Sequence, residues 1–326
     1  MKDETCWFLA VDFDKGTWRE DVAAFVTTCQ HHEVPAAVER SRSGDGAHVW
    51  FFFKSPVPAN TARKMGCFLI TQTMARRHEL SMRSYDRFFP NQDTMPMGGF
   101  GNLIALPFQD GPRQAGNSVF VDEQWLPYED QWNLLASIRR MDSAEVVSLA
   151  KDASEKGLVI GVRSEEPADD TEPSAPWLKT PASRSNKPVI SEKLPSHVRA
   201  TQAQLLFVEK SGLPSSLLNQ IKRLAAFQNP EFYKKQAMRF STALTPRVIS
   251  CAEEHPQHIG LPRGCLDDLE ALLSFYDVTL EVDDVRCAGK PLDAHFHGEL
   301  TQVQGQAVRS ILAHDTGVYV APPGSG

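Results

Sequence analysis

Two aspartates end a short apolar run near the start of the sequence, AVDFD at residues 10–14. Because side chains alternate faces along a β-strand, Asp12 and Asp14 should project from the same side, about 7 Å apart. Two carboxylates at that distance repel each other unless a positive charge lies between them. Mg²⁺ and Mn²⁺ favour such oxygen ligands. The pair therefore predicts a divalent metal site, and the alternative is a solvated strand end with two acids.

A second candidate cluster follows in the sequence ERSRSGDGAHVW, residues 39–50. Small glycines and exposed N–H groups suit a loop that wraps phosphates, and guanidinium or imidazole groups can donate hydrogen bonds to a triphosphate. A histidine on an apolar strand is often only structural, but the Ser/Gly run before it favours a functional role. The predicted nucleotide-binding residues here are Arg40, Arg42, Ser43, Gly44, Gly46 and His48.

The elements that would position these residues follow the order strand, helix, hairpin, helix, strand. A capping box of Thr17 with Glu20 should open the first helix. This order is that of a ferredoxin-like or RRM-like unit, in which the first strand lies between the third and the fourth. The predicted strands are residues 6–11, 36–41, 47–53 and 81–89, and the second helix runs from Pro58 to about Arg77 with Ala62, Met65, Phe68, Leu69 and Met74 in the core.

Composition bounds the rest of the chain. The length of 326 residues is enough for two or three domains, and no apolar run approaches a membrane span. The start lacks the layout of a signal peptide, so we expect a cytoplasmic protein. The six cysteines form no CxxC pair, which favours reduced, buried thiols over zinc or disulfides. The net charge of −7 argues against a uniformly basic surface but allows a local basic groove.

Three regions differ in composition. Residues 1–158 carry the alternating elements, and residues 159–198 are rich in Pro, Ser and charge, which is typical of a flexible linker. Globular patterning returns from residue 199. Cations and aromatics alternate between residues 202 and 247, as on a single-strand platform. The alternative is a helical domain with aromatics in its core and lysines on its surface.

Several long motifs resemble a known family. AVDFD followed by SRSGDGAHVWFFF resembles motifs I and II of the archaeo-eukaryotic primase superfamily, and SYDRFFPNQDTMPMGGFGNLIALPFQ and GNSVFVDEQWLPYEDQW resemble the primase domain of TOTE conflict-system proteins. These are bacterial and phage-borne fusions of primase and helicase modules. The resemblance implies an α+β fold with an RRM-like catalytic core, in which an acid pair binds Mg²⁺ or Mn²⁺ and a histidine strand contacts the incoming nucleotide.

The resemblance also implies a third acid on a neighbouring strand. We expect Asp86 in this position, with Asp93 as the alternative, although Asp93 also fits a turn. The implied catalytic set is then Asp12, Asp14, Asp86 and His48, with the three aspartates as metal ligands. Nucleotide or template contacts would fall on Arg87, Asn91, Gln92 and Asn102, each of which could instead stabilise a loop. Family members usually place a further α/β unit before motif I, so we expect an incomplete N-terminus.

The end of the sequence resembles the start of a superfamily 2 helicase. Within HGELTQVQGQAVRSILAHDTGVYVAPPGSG, Gln304 would contact adenine and residues 318–321 would form the strand before a P-loop. The Lys and Ser/Thr that such loops need are not reached, so we expect no ATPase activity from this chain. The predicted regions are therefore a mixed α/β pre-helicase domain at residues 199–297 and a helicase opening at residues 298–326.

The sequence thus predicts a DNA primase/polymerase that transfers nucleotides by a two-metal mechanism. Its expected partners are a DNA template or primer, nucleoside triphosphates and a helicase module in a longer protein, with no membrane partner. One alternative is a non-catalytic nucleic-acid-binding module that positions a helicase. The other is a metal-dependent nuclease that uses the same acids.

Overall fold

The structure is a computed structural model that describes residues 3–14, 16–99, 101–155 and 190–324. The chain divides into two compact units. The first unit comprises residues 1–192, 215–219 and 226–250, and the second comprises residues 193–214, 220–225 and 251–326. The predicted linker lies outside the described residues from residue 159 to residue 189.

The first 155 residues form a mixed α+β domain. Its elements are β1 (Thr5–Asp14), α1 (Trp18–His31), β2 (Ala37–Arg40), β3 (Gly46–Pro58), α2 (Ala59–Arg76), a 3₁₀ helix (Met82–Asp86), β4 (Phe88–Phe89), α3 (Asp110–Gln114), β5 (Val119–Phe120), α4 (Gln131–Ser137) and α5 (Ser143–Glu155). The strands form one antiparallel sheet in the order β4-β1-β3-β2-β5. β1 therefore lies between β3 and β4, which confirms that prediction.

The remaining described residues alternate strands and helices. They are β6 (His197–Gln202), β7 (Leu206–Glu209), α6 (Ser215–Leu224), β8 (Ala226–Gln228), α7 (Pro230–Ala237), β9 (Val248–Ser250), β10 (Glu253–Glu254), β11 (His258–Leu261), a 3₁₀ helix (Arg263–Cys265), α8 (Leu266–Phe275), β12 (Thr279–Asp284) and α9 (Gln302–Leu312). β8, α7 and β9 belong to the first unit, so this unit takes part of its structure from beyond the predicted linker.

Alternation along β1 separates two faces of the first sheet. Leu9, Val11 and Phe13 are buried in the main core, which also contains buried residues of α1 and α2. Ala10 on the opposite face packs in a smaller cluster of aromatic and aliphatic side chains. Asp12 follows Ala10 at the two-residue spacing of that face. The sequence of β1 thus buries one face completely and leaves the other for polar groups at its C-terminal end.

Helix α2 confirms its predicted core. Ala62, Met65, Phe68, Leu69 and Met74 are all at most 3% exposed. Gly66 allows the helix to approach the sheet closely, because a Cβ atom there would lie 2.4 Å from Cε1 of Phe88. The helix therefore fixes the position of β4 beside β1.

The predicted fourth strand at residues 81–89 is largely wrong. Residues 82–86 form a 3₁₀ helix that Ser81 caps by accepting a hydrogen bond from the N–H of Arg83, and only two residues remain in β4. Met82, Tyr85 and Phe88 recur at intervals of three, and all three are buried. Three-residue spacing matches the 3₁₀ repeat rather than strand alternation. The segment is apolar, as predicted, but its apolar residues follow a 3₁₀ period and not a strand period.

The predicted capping box at the start of α1 is also wrong. Thr17 precedes the helix but makes no side-chain cap, and its hydroxyl lies 3.4 Å from the carboxylate of Asp21. The backbone at Thr17 has φ −94° and ψ 33°, away from the extended conformation that N-cap residues usually adopt.

The second unit contains a sheet in the order β10-β11-β7-β6-β12, in which β12 runs parallel to β6. The residues 318–321 form no strand and are exposed, which corrects the prediction of a strand before a P-loop. A strand needs neighbours for its backbone groups, and this run has none among the described residues. No helix in the described part of the chain is long and apolar enough to cross a membrane.

The cysteines are all free thiols. Cys6, Cys29 and Cys67 are buried, as predicted, and burial raises the pKa of each thiol. Cys251 and Cys287 are exposed, so the prediction of buried thiols fails for these two residues.

Candidate active site

The C-terminal end of β1 brings the two predicted acids beside the histidine strand. In the antiparallel register Asp12 lies opposite His48 and Asp14 lies opposite Gly46. The Asp12 side chain is 17% exposed and that of Asp14 is 37% exposed. Nε2 of His48 lies 3.7 Å from Oδ1 of Asp12. The two acids and the imidazole therefore share one end of one sheet face.

Arg87 supplies a positive charge between the acids. Its guanidinium lies 3.0 Å from Oδ2 of Asp12 and 3.2 Å from Oδ1 of Asp14, and its side chain is 40% exposed. The backbone helps to hold it there, because the N–H of Asp12 donates to the carbonyl of Arg87. The guanidinium is a partly exposed cation that bridges both carboxylates, as the repulsion between them requires.

Asp12 lies in an environment that disfavours its charge. Burial raises the pKa of its carboxyl and the neighbouring Asp14 raises it further, whereas His48 and Arg87 lower it. The net direction is upward. A further cation beside Asp12 would stabilise the charged carboxylate and oppose the effect of burial on its pKa.

The Nδ1 atom of His48 contacts Glu39, a residue that was not among the predicted site residues. This atom lies 3.0 Å from Oε2 of Glu39, which sits directly opposite His48 on β2. Glu39 is only 1% exposed. The alternation of β2 could have identified it, because Glu39 is the only acid in the strand AVER and pairs across the sheet with the histidine strand.

The hairpin between β2 and β3 needs its glycines. Gly44 has a φ of +79°, and a Cβ atom at Gly46 would lie 2.6 Å from the carbonyl oxygen of Phe13. Gly46 thus lets the hairpin approach β1 beside Asp14. Arg42 and Ser43 are exposed in the turn, although the hydroxyl of Ser43 also bonds to Ser41 and accepts from the N–H of Asp45.

Arg40 points elsewhere. Its guanidinium donates to the carbonyl oxygens of Gly116 and Trp125. These bonds tie β2 to the segments around β5. The geometry therefore favours a structural role for Arg40 over the predicted triphosphate contact.

The two candidates for a third acid have different partners. Asp86 lies at the end of the 3₁₀ helix, where Oδ1 accepts a hydrogen bond of 2.7 Å from the N–H of Arg247. Burial raises the pKa of Asp86. Asp93 accepts hydrogen bonds of 2.6 and 2.9 Å from Arg63 and one of 2.9 Å from Gln236. Asp93 is thus saturated by protein donors, which argues against its use as a metal ligand.

The amides near Asp93 also have structural partners. Asn102 accepts from the N–H of Asn91 and donates to the carbonyl of Phe88. Gln92 donates to the carbonyl of Phe240. For Asn102 and Gln92 the loop-stabilising alternative is the one that the structure favours. The carbonyl of Asn91 accepts from the guanidinium of Arg247, which gives this residue a similar role.

A divalent cation fits the donors at Asp12 and Asp14, but the protein alone does not complete its ligand set. No group of three or more His, Cys, Asp or Glu residues in the described ranges is arranged to hold a metal. Arg87 occupies the space between the carboxylates as a stand-in cation. Two carboxylates suit a hard cation that takes its other ligands from water and phosphate.

The remaining predicted contacts belong to other segments of the chain. Gln304 is the third residue of α9, and Thr301 is the N-cap of this helix. The side-chain oxygen of Gln304 accepts from the N–H of Thr301 in a capping box. The cations and aromatics of residues 202–247 are divided between the two units. Lys210 and Lys222 both pair with Glu254 in the second unit. The alternative of aromatics in a core holds for Phe232, which is fully buried.

Comparison with known proteins gives one family match. A family model described as the TOTE conflict system, Archaeo-Eukaryotic Primase domain, matches residues 1–149. No curated protein matches the chain. The match covers less than half of the chain, and the matched segment contains Asp12, Glu39, His48 and Arg87.

Proposed function

We propose that the first unit is a metal-dependent DNA primase/polymerase that joins nucleotides on a nucleic-acid template. The observation that carries the proposal is the pair Asp12 and Asp14, bridged by a partly exposed cation and adjacent to His48 on one sheet face. The family match over residues 1–149 supports the same class of reaction.

We also infer that the fold around this site is RRM-like. The strand order β4-β1-β3-β2 and the succession of elements from β1 to β4 support this topology. The short 3₁₀ helix and the two-residue β4 are departures from it. In this arrangement the central strands β1 and β3 carry the acids and the histidine.

Asp12 and Asp14 would hold the Mg²⁺ or Mn²⁺, which when bound neutralises phosphate charge and lowers the pKa of an attacking hydroxyl. Asp86 is proposed as a third acid that would have to move toward the pair, because it is not grouped with Asp12 and Asp14 for metal binding and its Oδ1 accepts from the N–H of Arg247. His48 presents Nε2 on the side of Asp12, where it can contact the incoming nucleotide. Arg87 and the exposed Arg42 add positive charge for the phosphates. The main contribution of these residues is positioning and charge stabilisation.

Primer extension tests the proposal directly. The full chain would be assayed for incorporation of labelled dNTPs and NTPs on a primed template with Mn²⁺ or Mg²⁺. Because Asp12 and Asp14 provide the proposed ligands, Asp12→Asn and Asp14→Asn should each lower incorporation by at least about 100-fold, comparable to the loss of a key charge-stabilising group in other enzymes.

Asp142→Asn is the matched control. Asp142 is an exposed acid that pairs with Lys54, so its loss should leave incorporation unchanged. Full incorporation by the double variant of Asp12 and Asp14 would refute the assignment. Wild-type protein that shifts the mobility of DNA but extends nothing would favour the non-catalytic module. Degradation of single strands without nucleotides would favour the nuclease.

The second unit and the end of the chain suggest a helicase partner. We propose that residues 199–297 form a pre-helicase region and that residues 298–326 open a superfamily 2 helicase, with Gln304 as the adenine contact. The sequence resemblance supports this proposal. In that setting the primase-like domain and the helicase module would act on the same nucleic acid.

A further inference from the structure

We propose that Glu39 is a positioning residue that fixes the His48 imidazole with its proton on Nδ1 and its Nε2 atom facing the nucleotide site. The inference deepens the proposed function and rests on it for the identity of the ligand. It concerns a residue that neither the acid motif nor the histidine motif includes.

The carboxylate of Glu39 is buried and accepts three hydrogen bonds. Oε2 lies 2.7 Å from Nε1 of Trp50 and 3.0 Å from Nδ1 of His48, and Oε1 lies 3.3 Å from Oγ of Ser118. A carboxylate at 1% exposure is costly unless donors satisfy it. The neighbouring strand and the segment at Ser118 supply these donors.

The indole of Trp50 determines where the histidine proton lies. An indole N–H can only donate, so Oε2 of Glu39 acts as an acceptor at that contact. The same oxygen faces Nδ1 of His48, and a proton on Nδ1 gives a hydrogen bond rather than a contact between two lone pairs. The hydrogen-bond network thus assigns the proton of the neutral ring to Nδ1.

The opposite end of the ring is then the functional end. Nε2 lies 3.7 Å from Oδ1 of Asp12, which is too long for a hydrogen bond. Its lone pair faces the side of the acid pair, where a cation or a hydrogen-bond donor of the nucleotide would lie. Carboxylates that bind the far nitrogen of a functional histidine fix its tautomer and its orientation in many sites.

A structural role alone would be met by any side chain that satisfies Trp50 and Ser118. A positioning role makes a narrower demand, because an acceptor must lie at the place of Oε2. Glu39→Gln can keep its carbonyl oxygen there, since the reversed amide would set its NH₂ against the donor of Trp50. Glu39→Leu removes the acceptor, and Glu39→Asp withdraws it by about 1.5 Å, one C–C bond.

¹⁵N NMR of histidine-labelled full chain tests this without substrate. The spectra are recorded at one pH well above the usual histidine range, and His48→Gln identifies the resonance. Wild type and Glu39→Gln should show the pattern of the Nδ1–H tautomer. Glu39→Leu and Glu39→Asp should lose it, and retention of the wild-type pattern in either folded variant would overturn the proposal.

Kinetics gives the second measurement. Glu39→Leu and Glu39→Asp should raise the KM for the nucleotide or lower kcat/KM by about 10- to 100-fold, as outer partners of functional histidines do elsewhere, and Glu39→Gln should restore most of the loss. Ser118→Ala is the control, since it removes one donor from Glu39 without touching His48. Its NMR pattern should match wild type.

The two measurements separate the possible failures. Loss of the Nδ1–H pattern in Glu39→Leu and Glu39→Asp, together with no nucleotide incorporation by wild type, would refute the proposed function and retain the positioning role. Incorporation that is insensitive to Glu39→Leu, with an unchanged His48 pattern, would refute the positioning role alone.

Discussion

Two clusters in the first unit are both built from arginine and aspartate, but one has an excess of acids and the other has an excess of cations. At the end of β1, the 40% exposed Arg87 bridges Asp12 and Asp14, so acids outnumber the cation. Around Asp93, Arg63 and Arg247 are buried, so cations outnumber the acid. In the first cluster the guanidinium reaches solvent, whereas in the second, which we call sealed, both guanidiniums are buried and Asp93 is 19% exposed. An open excess of charge is available to a ligand, and a sealed excess must be balanced by the protein itself.

The sealed cluster is balanced by aromatic rings as well as by the acid. The guanidinium of Arg247 lies 4.1 Å from the ring centre of Phe232, and it donates to the carbonyl of Asn91. Nε and Nη1 of Arg247 have no hydrogen-bond partner among the described residues. Cation–π contact offsets part of this cost. The cluster joins the segment at residues 226–250 to the α+β domain that contains the first sheet, which gives it a structural role.

The largest expected effect is on the sealed cluster. Asp93→Ala leaves the fully buried guanidinium of Arg63 without its carboxylate, beside a second buried arginine. Loss of one partner of a buried ion pair costs about 3–5 kcal/mol of unfolding free energy. Urea unfolding followed by tryptophan fluorescence measures it, because the first unit contains Trp7, Trp18, Trp50, Trp125 and Trp132.

Asp142→Ala provides the matched comparison. It removes an exposed acid paired with Lys54 at 2.8 Å, and such surface pairs contribute about 0–1 kcal/mol. Equal losses in the two variants would mean that the cluster around Asp93 is no more structural than a surface pair.

A smaller effect on the unfolding free energy is expected when the pH is lowered. Burial alone would raise the pKa of Asp93, but Arg63 and Arg247 lower it to about 2, below the ordinary value of 3.8. A depressed folded-state pKa gives stability that is present above pH 3.8 and lost as the pH falls toward 2. The shift corresponds to about 2 kcal/mol.

Asp93→Asn isolates this contribution. The difference in unfolding free energy between wild type and Asp93→Asn should shrink by about 2 kcal/mol between pH 5 and pH 2. The measurements are made in chelator so that metal binding does not contribute. A difference that stays constant across this range would contradict the assignment of the pKa to the arginine pair.

The open cluster was the more predictable of the two from sequence. Strand alternation places Asp12 and Asp14 on one face, and the hairpin places His48 on the strand next to them, as the register confirms. Local rules were sufficient because these residues lie within 36 positions of one another on paired strands. Strand pairing also places Glu39 beside His48. However, a single acid on a short strand has no repeated spacing that would mark it as functional.

The sealed cluster could not be predicted in this way. Arg63 lies on a helix 30 positions before Asp93, and Gln236 and Arg247 lie 143 and 154 positions after it. No regular spacing in the sequence links these residues. The sequence around Asp93 therefore predicts only a turn residue or a metal ligand. The prediction of a strand at residues 81–89 was wrong for a different reason. Apolar residues spaced three apart are compatible with several structures, and only packing selects among them.

The smallest effect concerns the open cluster and its exchange of cations. Arg87→Gln removes the guanidinium that bridges Asp12 and Asp14 but keeps a polar side chain of similar reach. If the arginine occupies the position of a cation, its removal should increase the affinity for Mn²⁺. A partly exposed pair contributes up to about 1 kcal/mol, so the expected gain is roughly fivefold. Calorimetric titration of the full chain with MnCl₂, without nucleotide, measures this affinity.

Arg139→Gln controls for total charge in that titration. Arg139 is 49% exposed and pairs with Glu145 at 2.6 Å, so its replacement removes the same charge from a different part of the first unit. Its Mn²⁺ affinity should match that of wild type. Weaker Mn²⁺ binding by Arg87→Gln would show that the guanidinium holds the carboxylates in place for the metal rather than competing with it. Equal gains in both variants would show that only the net charge matters, and the contrast between an open and a sealed cluster would then fail at its open end.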